Sequence, residues 1–189
     1  MNRDLTPLGD EDLVKVFKDG NERAFDELYA RYASKLKRLI YYYLGDAEES
    51  DDVLHDVFLR VFMHIDSFNT EKVFSSWIYR IAVNCSKNYR KKNYRNRVLL
   101  ESEQMDIENT INNASPEDIF IKQEDMRAFY SAVNSLKDNF KIVFLLRFDH
   151  GMQYSQISQV IRCPERTAKW RMQKAIEKII DYLKDRDVV

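Results

Sequence analysis

The strongest constraint on the fold is the stretch from Tyr154 to Leu183, which predicts two helices joined by a tight turn. The first helix, Tyr154 to Ile161, carries apolar residues at helical spacing. It should stop at Arg162-Cys163-Pro164, because proline fixes its own φ and disfavours the α region for the residue before it. We expect Pro164 at the first position of the second helix, where its missing N–H costs nothing. The apolar stripe of the second helix is Ala168, Met172, Ala175, Ile176, Ile179 and Leu183.

The opposite face of this second helix is cationic and aromatic. Its outward residues are Arg166, Lys169, Trp170, Gln173 and Lys174. An apolar back and a basic front favour a helix-turn-helix whose second helix enters the major groove, where lysine suits guanine and glutamine suits adenine. Arg162 and Arg171 are better placed for phosphates. The alternatives are a merely solvated basic face and, for Trp170, packing within its own domain.

The composition favours an all-α protein. The 189 residues include only four glycines and three prolines, whereas charged helix formers abound. The apolar share of 44% suffices for real cores, and the length fits one domain or two small ones.

Charge is distributed in blocks, although the formal net charge is only −1. Residues 74–100 contain no acid, and residues 46–56 contain no base. A second acidic block covers residues 101–125, where Lys122 is the only base. The basic residues of the first block are Arg80, Lys87, Arg90, Lys91, Lys92, Arg95 and Arg97. Blocks of opposite sign indicate several different partners.

Other function classes find little support in the sequence. Cys85 and Cys163 are far apart in the chain, and no Cys/His cluster has metal-ligand spacing, so we expect reduced thiols and neither metal nor cofactor. A phosphate loop and a nucleophile–base pair are also missing, which argues against an enzyme. Neither an apolar leader nor a spanning segment is recognisable, which predicts a cytoplasmic protein without direct membrane insertion.

The first half of the chain predicts four helices. The first runs over Asp10–Asp19 and ends at Gly20, and the second runs from about Glu22 to Leu44 with Asn21 as a possible cap. Ser50 or Asp51 is expected to cap the third helix. The second helix has an inward stripe of Phe25, Leu28, Tyr29, Tyr32, Leu36, Leu39, Ile40 and Tyr43. The stripe of the third is Leu54, Val57, Phe58, Val61, Phe62 and Ile65.

A polar break over Asp66–Lys72 precedes the fourth helix, which should dissolve into the basic run. Val98 to Ser115 is acidic, Asn-rich and weakly periodic, and therefore predicts a flexible linker. Ser115-Pro116-Glu117 is a helix start, and further helices should cover Glu117–Leu136 and Asp138–Phe148 before a turn. The expected domains are residues 1–97 and 116–189, joined by the linker at residues 98–115.

These motifs, in this order, resemble a bacterial sigma factor of the extracytoplasmic-function (ECF) type within the sigma-70 family. The resemblance covers nearly the whole chain and rests on several segments. They are the acidic helix from Asp51 to Phe58, DSF at Asp66–Phe68, the segment from Trp77 to Tyr89, the helix start at Ser115-Pro116-Glu117, and Cys163-Pro164 with Thr167, Lys169 and Arg171. The chain departs from the family pattern at four positions, Arg162, Ala168, Trp170 and His55. None of these departures affects the expected fold, but Arg162 and Trp170 argue against recognition of the same promoter sequence as other family members.

The resemblance implies a non-enzymatic factor that binds core RNA polymerase and recognises promoter −10 and −35 elements. It places the contact to the polymerase β′ subunit on Asp51, Asp52, His55, Asp56 and Arg60. It places the −10 contacts on Asn69, Trp77, Arg80, Asn84, Lys87, Asn88, Arg90, Lys91 and Lys92. It places the −35 contacts on Arg162, Arg166, Thr167, Lys169, Trp170, Arg171, Gln173 and Lys174. Asn84 matches a residue that helps to hold a flipped base, whereas the spacing of Trp77 favours a core role first.

The resemblance also implies partners and leaves alternatives open. The polymerase β and β′ subunits, promoter DNA and an anti-sigma factor are the expected partners, and the acidic linker should pass near the polymerase active-site channel. The rival readings are a helix-turn-helix regulator that acts without polymerase and a helical adaptor that binds proteins. The first explains Tyr154 to Leu183 but leaves the acidic helix and the basic run without a role.

Overall fold

A computed structural model of the chain describes residues 5–100 and 120–186. Within these ranges the fold is all-α, as the sequence predicts, and no strand occurs. The α-helices are α1 Asp10–Lys18, α2 Arg23–Leu44, α3 Ala47–His64, α4 Phe74–Leu100, α5 Phe120–Ser135, α6 Asp138–Phe144, α7 Tyr154–Ile161 and α8 Glu165–Lys184. A short 3₁₀ turn, Ile65–Ser67, follows α3, and a π-helical turn, Leu145–Asp149, follows α6.

Helices α1 to α4 form the first helical group. Helix α2 packs against α1, α3 and α4, because its stripe of apolar residues recurs at intervals of three and four. Gly20 and Gly45 adopt left-handed φ values of 94° and 86° where α1 and α2 end, which is the conformation that glycine adopts without a Cβ penalty. The N-cap of α2 is Glu22 and not the predicted Asn21, which lies one residue earlier and accepts a hydrogen bond from Arg23 N on its Oδ1 at 3.2 Å.

The predicted cap of α3 at Ser50 or Asp51 is wrong. The helix begins at Ala47, and the side chain of Asp46 accepts a hydrogen bond from Glu49 N at 2.8 Å. Ser50 lies inside the helix, where its hydroxyl donates to Asp46 O. Several residues in this segment are acceptable caps, and the chain uses the one that directly follows Gly45.

The expectation that the fourth helix dissolves into the basic run is also wrong. Helix α4 continues from Phe74 to Leu100 as one element of 27 residues, three of which belong to the predicted linker. Lysine and arginine are good helix formers, so charge alone does not end a helix. The rest of the predicted linker, residues 101–115, and the predicted helix start at Ser115-Pro116-Glu117 lie outside the described residues.

Helices α5 to α8 form the second group. Helix α7 has the predicted bounds, and the chain reverses after it at Arg162, whose φ of 51° is left-handed. Pro164 is the N-cap of α8, one residue earlier than its expected first helical position. The helix predicted over Asp138–Phe148 is α-helical only as far as Phe144 and then widens into the π turn.

The two groups pack directly against each other, so their buried residues form one continuous hydrophobic core. Helix α4 lies against α7, and α2 lies against the π turn. Lys141 of α6 crosses this joint and is 3% exposed; its Nζ donates to Tyr43 O of α2 at 3.1 Å and to Asn134 Oδ1 at 2.8 Å. Burial lowers the pKa of Lys141 to about 8, because the charged form loses its hydration.

Three residues assigned to inward stripes are substantially exposed. Tyr29 of α2, Phe62 of α3 and Ile176 of α8 are 47%, 51% and 43% exposed. Each lies at the edge of its stripe, and an apolar stripe wider than the neighbouring helix covers leaves its edge in solvent.

Candidate nucleic-acid interface

The outer face of α3 carries the residues predicted to bind polymerase. Asp51, Asp52, His55 and Arg60 are exposed, and Asp56 is half-buried. Two of these groups are held by ion pairs, Asp51 with Lys37 of α2 at 2.6 Å and Asp56 with Arg60 at 2.9 Å. The ion pairs hold the carboxylates of Asp51 and Asp56 in place. The face points away from the apolar stripe of α3, as the sequence predicts.

An exposed apolar patch lies beside this charged face, and the sequence reading missed it. Leu59, Phe62 and Met63 are 49%, 51% and 65% exposed, and they follow Asp56 within two turns of α3. The ring of Phe62 contacts the rings of Phe17 and Phe25 at centroid distances of 5.6 and 5.4 Å, so the patch is anchored to the core. Charged rims around an apolar centre are typical of protein-binding surfaces.

A pocket of about 590 Å³ lies between the loop that precedes α4 and the first turns of α4. Its lining residues are Ser67, Phe68, Asn69, Glu71, Lys72, Val73, Ser76, Trp77, Arg80 and Gln159. Asn69, Trp77 and Arg80 are thus brought together as predicted −10 residues, and Trp77 also packs on Phe68 with 5.1 Å between ring centroids. Trp77 is half-buried, so one part of its side chain packs against the core and the other part lines the pocket.

Two buried polar atoms on the pocket residues lack a hydrogen-bond partner. They are Ser76 Oγ and Arg80 Nε. Buried donors are nearly always paired in native proteins, so these two atoms are exceptions, and both are inaccessible to solvent in this conformation. Ser76 carries no sequence signal, because a lone serine within a helix has no distinctive pattern. Asn84 is exposed on α4 and is not among the residues that line this pocket.

The remaining predicted −10 residues follow along α4. Asn88, Arg90, Lys91 and Lys92 are exposed, and Lys87 is half-buried. Arg90 does not point freely into solvent, because its guanidinium pairs with Asp138 of α6 at 2.6 Å. Burial lowers the pKa of Lys87, with Arg171 of α8 contributing in the same direction.

The recognition face of α8 has the predicted composition. Arg162, Arg166, Lys169, Trp170 and Gln173 are exposed, while Thr167, Arg171 and Lys174 are partly buried. Lys169 pairs with Glu165 at 2.7 Å and Lys174 with Glu177 at 2.5 Å, which fixes both ammonium groups on the helix surface. Trp170 is 51% exposed, and its ring lies 5.9 Å from that of Phe140 of α6, a packing contact within its own helical group.

Cationic residues of the two groups lie near each other beside the contact between α4 and α7. The pKa of Arg80 is lowered by burial and by the nearby charge of Arg162, and Lys87 experiences Arg171 in the same way. Gln159 of α7 meanwhile contributes a wall to the loop pocket of α4. Arg80 and Lys87 of the candidate −10 surface therefore lie near Arg162 and Arg171 of the candidate −35 surface. The other residues of both surfaces, such as Lys91 and Lys169, are exposed.

A polar cluster holds the same joint on its other side. His150 Nδ1 lies 3.1 Å from the hydroxyl of Tyr79 on α4, and His150 Nε2 lies 3.3 Å from Asp149 Oδ2. Asp149 also pairs with Arg38 of α2. Burial lowers the pKa of His150, although the carboxylate of Asp149 acts in the opposite direction. The sequence predicted only a turn here, because no local pattern reveals that the turn is covered by another domain.

Residues 5–100 and 120–186 contain no cluster of three or more His, Cys, Asp or Glu side chains able to hold a metal ion. No helix in those ranges is long and apolar enough to cross a membrane. Burial raises the pKa of the Cys85 thiol to about 12, so this cysteine is an inert core residue, and Cys163 is also unpaired with another cysteine.

Comparisons with known proteins match both halves of the chain. The family model for sigma-70 region 2 matches residues 28–96, and that for sigma-70 region 4 matches residues 126–179. The ECF RNA polymerase sigma-E factor of Haemophilus influenzae is 29% identical over 178 residues, covering 91% of this chain and 94% of that protein. The RNA polymerase sigma-H factor of Pseudomonas aeruginosa is 28% identical over 181 residues, covering 93% and 94%.

Solved structures share the fold. CnrH in complex with the cytosolic domain of CnrY matches with a TM-score of 0.70 and 22% identity over 93% of this chain and 97% of that one. The sigma factor RpoE of Bartonella quintana in complex with the anti-sigma factor NepR matches with a TM-score of 0.67 and 20% identity, covering 85% and 96%.

Proposed function

We propose that this chain, which belongs to the ECF subfamily of the sigma-70 family, binds core RNA polymerase and directs promoter-specific transcription initiation. The observation that carries the proposal is the combination, in one chain, of a basic helix beside a loop pocket and a helix-turn-helix with a basic front. The basic helix lies within the segment that matches sigma-70 region 2, and the helix-turn-helix lies within the segment that matches region 4, in the order of the family. A helix-turn-helix regulator that works without polymerase would use only the second of these features.

The polymerase-binding surface is proposed to be the outer face of α3. Asp52, His55 and the Asp56–Arg60 pair would supply the charged contacts, as the resemblance implies. The apolar residues Leu59 and Phe62 beside them would supply the buried centre of the interface, because most binding energy comes from desolvated apolar anchors.

The loop pocket and the basic residues of α4 are proposed to capture the melted −10 element. An unpaired base would stack against Trp77 and, after a shift of the pocket wall that uncovers them, accept hydrogen bonds from Ser76 Oγ and Arg80 Nε, the two donors that lack partners. Lys87, Asn88, Lys91 and Lys92 would contact the phosphates of the single strand. Asn84, one helical turn beyond Arg80, would contact the next nucleotide rather than the base in the pocket.

The front of α8 is proposed to read the −35 element in the major groove. Lys169 and Gln173 are exposed and suit base edges, while Arg162, Arg166 and Arg171 suit phosphates. The chain contributes binding and positioning, and the polymerase performs the chemistry. A cytoplasmic location follows from this role, since the polymerase works on DNA there. An anti-sigma protein is a proposed partner, like the anti-sigma factor NepR that is bound to the RpoE of Bartonella quintana.

Reconstitution with core polymerase tests the function. Core enzyme with the purified chain should select a promoter from a random DNA library and initiate transcription from it, whereas core enzyme alone should not. Tight, sequence-specific binding by the isolated chain, with no effect on polymerase, would contradict the proposal and favour an independent regulator.

The pocket has its own test. Ser76→Ala should weaken binding of the holoenzyme to a pre-melted −10 bubble by roughly tenfold, the size expected for one hydrogen bond to a buried donor. Asn84→Ala should impair the same step, with a smaller loss. Ser86→Ala, a matched change whose hydroxyl bonds Ala82 O within α4, should leave bubble binding unchanged. If Ser76→Ala binds the bubble as tightly as wild type, the base does not occupy this pocket.

A further inference from the structure

We propose that Glu11 and Lys18 of helix α1 hold the two ends of the loop that precedes α4 and thereby position this loop for the −10 base, although neither side chain lines the loop pocket. The −10 loop is residues 68–73, between the 3₁₀ turn and α4. The inference rests on the proposed function for the identity of the ligand. The hydrogen bonds that hold the loop are a property of the structure itself.

Lys18 holds the end of the −10 loop that follows α3. Its Nζ donates to the backbone oxygens of Asp66 and Phe68, both at 2.8 Å. These two carbonyls lie where the 3₁₀ turn ends, and the carbonyl end of a helical segment carries partial negative charge that favours a cation. Charge-assisted hydrogen bonds are about twice as strong as neutral ones, so a single ammonium group fixes two backbone groups at this end of the loop.

Glu11 holds the end of the −10 loop that enters α4. Its Oε1 accepts a hydrogen bond from Phe74 N at 2.8 Å. Phe74 is the first residue of α4, and the first amides of a helix have no acceptor within the helix. The positive end of the helix dipole also favours a carboxylate at this point. Glu11 therefore caps α4 from a position 63 residues away in the sequence.

The two contacts come from one face of one short helix. Glu11 and Lys18 are separated by close to two helical turns, a rise of about 10 Å, so both side chains extend from the same side of α1. Leu13 and Val14 are fully buried and anchor α1 to the core. Helix α1 therefore fixes how far apart the two ends of the −10 loop lie.

The middle of the −10 loop is shaped by local hydrogen bonds. Asn69 Oδ1 accepts from Glu71 N at 2.9 Å, and Lys72 N donates to Asn69 O at 3.0 Å. The exposed members of the loop are Asn69, Glu71, Lys72 and Val73. Local bonds determine the form of a turn but not its position relative to another helix. The position of the loop against α4 therefore depends on its ends, where the buried ring of Phe68 packs on Trp77 and α1 supplies its hydrogen bonds.

The position of the loop determines the width of the loop pocket. The −10 loop forms one part of the pocket lining, and Ser76, Trp77 and Arg80 of α4 form another. Binding sites need their contacting groups within about 0.5 Å of the productive geometry, which requires support from residues behind them. Glu11 and Lys18 supply this support to the backbone of the loop, so they are positioning residues for capture of the −10 base.

The test compares matched variants of α1 in the holoenzyme. Lys18→Met removes the ammonium group but keeps a long side chain, and Lys15→Met removes the same charge from a residue that pairs with Asp12 within α1. Glu11→Leu removes the acceptor, whereas Glu11→Gln keeps an oxygen that can accept from Phe74 N. Circular dichroism and co-purification with core polymerase establish that each variant folds and assembles.

The measured quantity is the ratio of the holoenzyme's affinities for two pre-melted bubbles. One bubble carries the −10 sequence of the selected promoter, and in the other the −10 base that contributes most to binding is replaced. Lys18→Met and Glu11→Leu should each reduce this ratio by about fivefold, because a displaced loop distinguishes the bases less well. Lys15→Met and Glu11→Gln should retain the wild-type ratio.

Three results would overturn the inference. An unchanged ratio in Lys18→Met, even with a lower melting temperature, would leave this residue a role in stability alone. An equal loss on both bubbles, with a smaller salt dependence of binding, would show that Lys18 contacts a phosphate itself. Loss of polymerase binding in Lys18→Met but not in Lys15→Met would assign Lys18 to the polymerase surface.

Failure of the proposed function is distinguishable from failure of this inference. If the holoenzyme selects no promoter, the proposed function is wrong, and amide hydrogen exchange in the free full-length chain tests whether α1 holds the loop. The amides of Lys72 and Phe74 should exchange severalfold faster in Lys18→Met and Glu11→Leu than in Lys15→Met and Glu11→Gln. Equal exchange rates in the four variants would overturn the inference.

Discussion

The outer face of α3 and the part of α4 that carries Arg80 and Lys87 are both charged, helical and proposed to bind a partner, yet only the part of α4 lies beside the second helical group. Asp52 and His55 lie exposed with Leu59 and Phe62 beside them. Arg80 and Lys87 of α4 instead face the second helical group and have lowered pKa values. The difference shows that the tertiary packing, and not charge alone, determines how accessible a charged helical face is.

The largest expected effect concerns the open face. Asp52→Lys with Asp56→Lys should weaken polymerase binding by at least about 100-fold, because reversing interface charges replaces attraction with repulsion. Helical content should not change, since Asp52 is exposed and Asp56 only half-buried, away from the core residues of α3. Co-purification with core polymerase and circular dichroism check both statements.

The matched control for that variant is Asp181→Lys with Asp185→Lys. These acids have the same i, i+4 spacing and lie exposed at the end of α8, outside the proposed polymerase surface. Equal losses in the two double variants would mean that net charge, and not the α3 face, governs polymerase binding.

The second effect concerns Lys141, which is buried where the two helical groups meet. The pKa of Lys141 is about 8 in the folded chain, below its ordinary 10.5, so the unfolded chain binds more protons between these values and folding stability rises with pH across that window. The wild-type free energy of unfolding should rise by about 2 kcal/mol between about pH 7.5 and 9.5 relative to that of Lys141→Met. Urea denaturation at both pH values measures this, and parallel changes in the two proteins would show that Lys141 is not desolvated at the joint.

The third effect sharpens the description of the −35 surface. Trp170→Ala should fold normally but reduce −35-dependent transcription. The reduction should correspond to about 1–3 kcal/mol of lost binding free energy, as for other specific base contacts. The side chain is half-exposed, so it remains available to DNA while its other edge packs on Phe140. Phe140→Ala removes only the packing partner. A loss as large in Phe140→Ala as in Trp170→Ala would assign Trp170 a structural role.

The smallest effect is a pH dependence at the polar cluster. Burial where the two helical groups meet lowers the pKa of His150, so separation of the groups would let His150 bind a proton more readily, and their packing should weaken as the pH falls through the ordinary histidine range. Lys35, Arg38, Asp149 and Tyr79 surround this ring, and the carboxylate of Asp149 opposes the shift, which keeps the effect small. Scattering at about pH 7.5 and 5.5 should show expansion at the lower pH in wild type.

His64→Asn is the control for this pH dependence, since His64 is exposed at the end of α3. It should behave as wild type, whereas His150→Asn should lose the pH response. Expansion that persists in His150→Asn would place the titrating group elsewhere.

Much of the fold was predictable because helix signals are local. Helix α7 has the predicted bounds, and the glycines that end α1 and α2 lie at the predicted positions with left-handed φ values. The errors occur where several local choices compete. Asp46 and Ser50 are both acceptable caps of α3, and the basic residues beyond Cys85 are good helix formers that continue α4 instead of ending it.

The candidate site was predictable to the level of residue type and face. Apolar periodicity placed Asp52, Lys169 and Gln173 on outward faces, and all three are exposed. It did not predict Ser76 or Gln159 at the loop pocket, because a pocket wall is assembled from residues that have no common sequence spacing. It assigned Phe62 to the core, although one side of that ring is in solvent.

The sequence by itself determined the helices, their polar and apolar faces, and the family order of the two helical groups, because these depend on spacing over a few turns and on matched segments. Only the tertiary structure decided that α7 packs on α4, that Lys141 reaches Tyr43, and that His150 is buried beside Tyr79. Residues 71 to 98 positions apart make the last two contacts. Local periodicity carries no information at that separation, because such contacts depend on how complete surfaces fit together.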